Sequence, residues 1–253
     1  MFTNTSRAPK HEGKPSRRWA VAASAVVATG ALIVCAMAAP ASATSVPNGP
    51  SSVNLGTAAG FSVLAAAAAT IPGSYLPGEV GAQAAITDNA LTVYGSPKHA
   101  VNDGATRTAV ADALSAYNTL SALAPTGQLS GDDLTLQVVK PGVYHRVAAY
   151  AMTTPVTFDA QGDSNAYFIM QGDAALNTTA STTMNLINGA QASHIFWVVR
   201  GAATLGASSY FYGTILSYAA VTVGATSHVC GRALSVMAAV TLDADIFCAL
   251  PSD

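Results

Sequence analysis

An 18-residue register near the carboxy terminus constrains this chain more than any other feature. Phe211, Val229 and Phe247 stand 18 apart, and so do Gly213 and Gly231, Leu216 and Leu234, and Ser217 and Ser235. Aligning Thr204-Leu205-Gly206 with Thr222-Val223-Gly224 and Thr241-Leu242-Asp243 brings these positions into step. A repeat of this length, with apolar residues to turn inward and glycines at corners, is what one coil of a β-solenoid requires, because a single coil cannot bury its own apolar face and must stack on its neighbours. Cys230 and Cys248 share the register. On successive coils their backbones would lie about 4.7 to 4.9 Å apart, inside the roughly 4.4 to 6.8 Å Cα separation a disulfide tolerates. A Cys230–Cys248 disulfide is therefore predicted, pinning the last coil where a solenoid would otherwise fray.

The disulfide presupposes an oxidising compartment, and the amino terminus provides for one. Residues 1–43 have a basic start (Arg7, Lys10, Lys14, Arg17, Arg18), an apolar middle from Trp19 to Ala39, and the exit Ala41-Ser42-Ala43. These are the three parts of a secretory signal, so a secreted, extracellular product beginning at Thr44 is expected, with no stable membrane span after cleavage; the alternative is an uncleaved membrane anchor, since the apolar run is long enough to span a bilayer at roughly 20 residues. Cleavage removes five of the 11 Lys/Arg and one of the 13 Asp/Glu, leaving six basic against twelve acidic residues and a net charge of about −6. Such a chain has no basic patch for nucleic acid.

Residues 44–52, with Pro47 and Pro50, read as a short linker, and 53–253 as one domain. Val53 to Ala69 should form an initial strand and turn. One strong helix is expected from about Gly104 to Leu123, with Asn102 or Asp103 as its N-cap and Pro125 just beyond. Its stripe of Val110, Leu114, Tyr117 and Leu120 or Ser121 is kept thin by Ala109, Ala113 and Ala116, which lets it lie close along a flat β wall. The rest reads as strands.

Several landmarks occur in one order along the chain: Phe61-Ser62-Val63-Leu64, Gly78-Glu79-Val80-Gly81, Ala116-Tyr117-Asn118, Lys140-Pro141-Gly142-Val143-Tyr144, the Asp159-Ala160-Gln161-Gly162-Asp163 turn, Asn188-Gly189-Ala190-Gln191-Ala192-Ser193 with Phe196-Trp197, and Gly231-Arg232-Ala233-Leu234. In these the chain resembles the microbial ice-binding proteins over nearly all of the segment from Leu55 to Phe247. The resemblance implies a mostly β fold, a discontinuous right-handed β-helix (β-solenoid) with one long α-helix packed along it. It also implies an exported monomer whose partner is the surface of an ice crystal, acting by adsorption without a cofactor. The landmarks are mostly turn and core residues, so they specify the solenoid and leave its outer face to be read separately.

Ice requires a stiff, flat array of small groups that are part methyl and part hydroxyl. Thr provides both and, being β-branched, loses little side-chain freedom on binding. In the family such a face carries loose Thr, Ala or Gly, any residue, Thr or Asn patterns before an inward apolar residue. Mapped here, the pattern selects the segments before Met184, Phe211, Val229 and Phe247. They give one outward row of Ser181, Ser208, Thr226 and Ala244, and a second of Thr183, Tyr210, His228 and Ile246. The first is small and suitable; the second is bulky and uneven. A third candidate row is the ladder Thr157, Thr204, Thr222 and Thr241, and the densest hydroxyl patch is Thr178 to Thr183, including Thr182. Thr ladders are also ordinary sheet surface. The alternative is an exported surface or adhesion module that keeps the fold and binds a protein or glycan through Tyr210, His228 and Ile246.

Right-handed β-helices also host polysaccharide lyases and hydrolases, whose sites need clustered carboxylates with basic partners. Here Asp159, Asp163, Asp173, Asp243 and Asp245 fall where Gly and Asn mark turns. His99, His145, His194 and His228 show no metal spacing, and no catalytic motif is present. The chain reads as a non-enzyme.

Overall fold

The structure is a computed structural model that describes residues 50–88, 93–94, 101–131, 133–153 and 155–249. The expected signal peptide at 1–43 and most of the 44–52 linker lie outside the described residues.

All named strands pair in parallel and stack into a ten-stranded, a seven-stranded and a three-stranded sheet, the arrangement of a β-helix. Tyr210–Ser217 and His228–Ser235 pair along their whole length, and both hold glycine at the one matched position where the backbones leave no room for a side chain. Gly213 adopts φ +112°, and a Cβ on Gly231 would lie 1.8 Å from the Gly213 carbonyl oxygen. The expected register holds: Phe211 pairs with Val229 and Val229 with Phe247, while Gly213 meets Gly231, Leu216 meets Leu234 and Ser217 meets Ser235. Phe211, Val229 and Phe247 are all buried in one interior cluster with Tyr150, Phe158, Phe168 and Trp197. The rings of Phe158 and Tyr150 meet Trp197 edge-on.

Chain order and stacking order differ. Phe61–Ala65 lies against His228–Ser235, Ala68–Thr70 against Val240–Thr241, and Tyr75–Leu76 against Ile246–Phe247. The amino-terminal coils thus cap the carboxy-terminal ones, and Glu79–Ala82 and Ala85–Thr87 extend the stack further. The segment expected to be one initial strand and turn is a 3-10 turn at Gly56–Gly60 followed by two strands in different sheets. The Cys230–Cys248 disulfide forms, with a Cα separation of 4.5 Å. It does not pin a terminal coil, because the strand before Cys248 is covered on its far side by Tyr75.

The helix runs Gly104–Ser121, and the Asp103 carboxylate caps it by accepting from the Thr106 N–H at 2.7 Å. Ala109, Val110, Ala113, Ala116, Tyr117 and Leu120 are buried, while Leu114 is only half-buried and Ser121 is exposed. This thin face packs on Leu64, Val143, Ile169, Phe196, Leu216 and Leu234, side chains on the outer side of the ten-stranded sheet. The helix therefore occupies that sheet's outer surface, and among the described residues the seven-stranded sheet is left open.

Candidate functional site

The seven-stranded sheet is built from two- and three-residue strands whose flanking residues point inward. Ala203 and Leu205, Val221 and Val223, Val240 and Leu242, and Ala69 and Ile71 are all fully buried. Strand alternation then turns the residue between each pair outward. Those residues pair rung by rung: Ala151 with Asn177, Asn177 with Thr204, Thr204 with Thr222, Thr222 with Thr241, Thr241 with Thr70, and Thr70 with Thr87. Five threonines and an asparagine stand in one column, about 4.8 Å from rung to rung.

Two residues before each of these six is an alanine. Ala175, Ala202, Ala220, Ala239, Ala68 and Ala85 form a second column about 6.7 Å from the first, twice the rise of one residue. The sheet thus presents methyl groups and hydroxyls alternately, with no charged side chain in either column. None of the five threonine hydroxyls in the ladder, nor the Asn177 amide, forms a hydrogen bond with a described residue. Some other threonines are satisfied internally: Thr182 donates to the Thr179 and Met152 carbonyls, and Thr135 donates to Asp133.

Other predicted positions fall elsewhere. Thr157 lies in the three-stranded sheet beside Asn185 and Val138, and so does not belong to the ladder with Thr204, Thr222 and Thr241. Thr182 is 3% exposed and unavailable to a surface ligand. Ser181, Ser208, Thr226 and Ala244 are exposed but are corner residues rather than alternating strand residues. Their φ angles of +58°, +57°, +60° and +54° place all four in the left-handed region. The corner still forms a column, with the Ser208 and Thr226 hydroxyls 3.2 Å apart. Thr183 is half-buried.

Tyr210, His228 and Ile246 do stand in one row, and Tyr75 extends it. The Tyr210 and His228 rings stack with centroids 4.8 Å apart at 10°, and Tyr210, Ile246 and Tyr75 are 49, 43 and 44% exposed. This surface is uneven and partly apolar, unlike the open sheet. Between the two surfaces runs a buried polar seam: Ser227 Oγ accepts from Ser209 N–H, Asp245 from Ser227 N–H, and Ser74 Oγ from Asp245 N–H. Burial pushes the Asp245 carboxyl up to about 7, and the charge of Asp243 adds to the rise, although the Asp243 and Ser227 N–H groups oppose it.

Thr70, Thr87, Asn177 and the alanine column were missed from sequence. The signal was present: Ala or Gly, Ala, any residue, Thr or Asn recurs at 67–70, 84–87, 174–177, 201–204, 219–222 and 238–241. The same kind of pattern had been placed one segment later, on the corners. Among the described residues there is no group of His, Cys, Asp or Glu able to hold a metal ion, and no helix is long and apolar enough to cross a membrane.

Comparison with known proteins agrees with this architecture. Residues 37–247 match the family described as Ice-binding-like. An ice-binding protein of Nostoc sp. (strain HG1) is 33% identical over 199 residues, covering 76% of this chain and 72% of that protein. One of Flavobacterium frigoris (strain PS1) is 32% identical over 211 residues, covering 75 and 74%. The crystal structure of an ice-binding protein from the Antarctic ascomycete Antarctomyces psychrotrophicus superposes with a TM-score of 0.72 at 28% identity, covering 77% of this chain and 96% of that one. The chain belongs to the ice-binding-like family, as a β-helix with one helix laid along it.

Proposed function

We propose that this protein binds ice by adsorption of the open seven-stranded sheet. The observation that carries the reading is the column Asn177–Thr204–Thr222–Thr241–Thr70–Thr87, whose side chains form no hydrogen bond with a described residue and which is flanked by a column of alanines. Ordered water next to such a surface is held by the hydroxyls and kept cage-like around the methyls. Rung spacing is fixed by the backbone, and the β-branched side chains have little rotamer freedom to lose. Each contact is weak, but all rungs engage at once. Bound molecules then pin the ice front, which must bulge between them at a thermodynamic cost. That mechanism needs no catalysis and no cofactor, and the proposal treats the chain as a non-enzyme that does not bind nucleic acid.

The same reading places the mature protein outside the cell as a monomer, with 1–43 as a removed signal, 44–52 as a linker and 53–253 as the ice-binding domain. It rests on the basic–apolar–small amino-terminal pattern and on a disulfide suited to an oxidising exterior. Family membership favours ice over the protein or glycan reading of the Tyr210, His228 and Ile246 row.

The test is a pair of variants in an ice recrystallisation assay with ice-affinity partition. Thr222→Tyr with Thr241→Tyr should cut activity at least about tenfold at unchanged melting temperature, since two bulky rings lift a flat surface off its ligand. Tyr210→Thr with His228→Thr should leave activity where it was. Full activity in the first variant, or a gain in the second, would place the ice surface on the other row.

A further inference from the structure

Away from the open sheet, polar groups converge on one groove of about 460 Å³, where the last turn of the helix meets the ten-stranded sheet. That volume falls within the range of sites that hold small molecules. The sheet side is built in steps. Asp173, Arg200 and Tyr218 donate their backbone N–H groups to Arg146, Gly172 and Val199 respectively, so they occupy successive rungs of one corner. His145 lies on the rung before Gln171 and reaches Asp173, Nε2 to Oδ1, at 3.2 Å. The helix side carries Tyr117 and Asn118, and the Tyr117 and Tyr218 ring centroids are 5.5 Å apart. The floor is rigid: buried Gln171 donates Nε2 to the carbonyls of Leu120 and Leu123 at 2.7 and 2.9 Å, fastening the helix end to the sheet.

The groove's own polar groups are only partly matched. Asp173 is engaged by His145, whereas the Arg200 guanidinium, the Tyr218 hydroxyl and the Asn118 amide have no hydrogen bond or ion pair with a described residue. A guanidinium presents a planar fork that fits a carboxylate in bidentate fashion. Tyrosine rings offer an apolar plate with a polar tip, suited to the C–H face of a sugar ring. Asn118 and the His145–Asp173 pair supply donors and acceptors for adjacent hydroxyls. A multiply charged phosphate ligand would meet the Asp173 carboxylate with a single cation to offset it. An apolar ligand would strip water from every one of these groups without replacing their hydrogen bonds.

We propose that this groove binds an acidic saccharide, a uronic acid unit whose carboxylate sits on Arg200, whose ring lies against Tyr218, and whose hydroxyls meet Asn118 and the His145–Asp173 pair. The site is separate from the threonine ladder and would anchor the protein to an acidic polysaccharide while the open sheet remains available. The chain as a whole carries more acidic than basic residues, so general attraction to a polyanion does not imitate this binding.

The experiment titrates digalacturonate into the full chain as produced and follows binding by calorimetry and by saturation-transfer NMR, with maltose and inorganic phosphate as comparison probes. Saturable binding of digalacturonate is expected, with maltose and phosphate at least about tenfold weaker. Arg200→Gln and Tyr218→Ala should each weaken digalacturonate at least about tenfold, about 1.4 kcal/mol, at unchanged melting temperature and unchanged ice recrystallisation inhibition. The proposal is overturned if the unaltered protein fails to bind digalacturonate, if maltose or phosphate binds as tightly, or if both folded variants bind as well as the parent. Loss of ice activity in the parent would instead refute the function of the open sheet and leave the groove untouched.

Discussion

Replacing Asp245 by Ser should remove a pH-dependent weakness from the middle of the solenoid. Asp245 is fully buried in a seam whose equivalent residues on neighbouring rungs, Ser209, Ser227 and Ser74, are neutral hydroxyls. Burial raises its carboxyl from 3.8 to about 7. The folded protein therefore holds a proton there between about pH 4 and pH 7 that the unfolded chain has released. Stability contributed by this site is greatest below about pH 4 and falls as pH rises through that window, the reverse of an ion-paired aspartate. With each tenfold change in proton affinity equivalent to about 1.4 kcal/mol, the full penalty approaches about 4 kcal/mol above pH 7. Between pH 5 and pH 8 the same linkage gives a loss of about 2 to 3 kcal/mol. Urea unfolding of parent and Asp245→Ser at both pH values isolates the term, because every other titrating group is common to the two proteins. The variant should lose about 2 to 3 kcal/mol less than the parent over this interval. Equal pH slopes, within about 0.5 kcal/mol, would show that the carboxyl ionises normally in the fold and would refute the reasoning.

Further expectations concern the stack itself. Cys230→Ser with Cys248→Ser opens an 18-residue loop and should lower stability by about 3 kcal/mol, measured by urea unfolding, while the ladder on the opposite sheet keeps its ice activity. Gly231→Ala drives a methyl into the Gly213 carbonyl and should cost about 3 kcal/mol or more, read as a fall in melting temperature. Thr157→Tyr, on the three-stranded sheet, should leave ice recrystallisation inhibition unchanged, in contrast to the ladder variants; a loss there would mean that the ice surface extends onto that sheet.

The solenoid was legible wherever its determinants are local or recur at a constant interval. The spacing of Phe211, Val229 and Phe247 followed from one coil length, and the cysteine pair followed from the same register. The helix was readable because its cap, its small-residue face and its end all lie within some twenty positions. The corners were harder. Ser181, Ser208, Thr226 and Ala244 adopt left-handed φ angles that none of these residue types announces, so they read as strand when they are bends.

The chain by itself determined the coil, the disulfide register, the helix and the family, because each depends on residues close in sequence or repeated at one period. Only the tertiary structure decided which coils touch. It seats Thr70 beside Thr241 and Ser74 beside Asp245, residues at opposite ends of the domain, and so, having moved Thr157 to another sheet, extends the remaining Thr204, Thr222 and Thr241 into a column of five. The physical reason is that rungs are joined by backbone hydrogen bonds, which are the same for every residue type. Such pairing leaves no mark in the sequence of either partner until the chain has closed on itself.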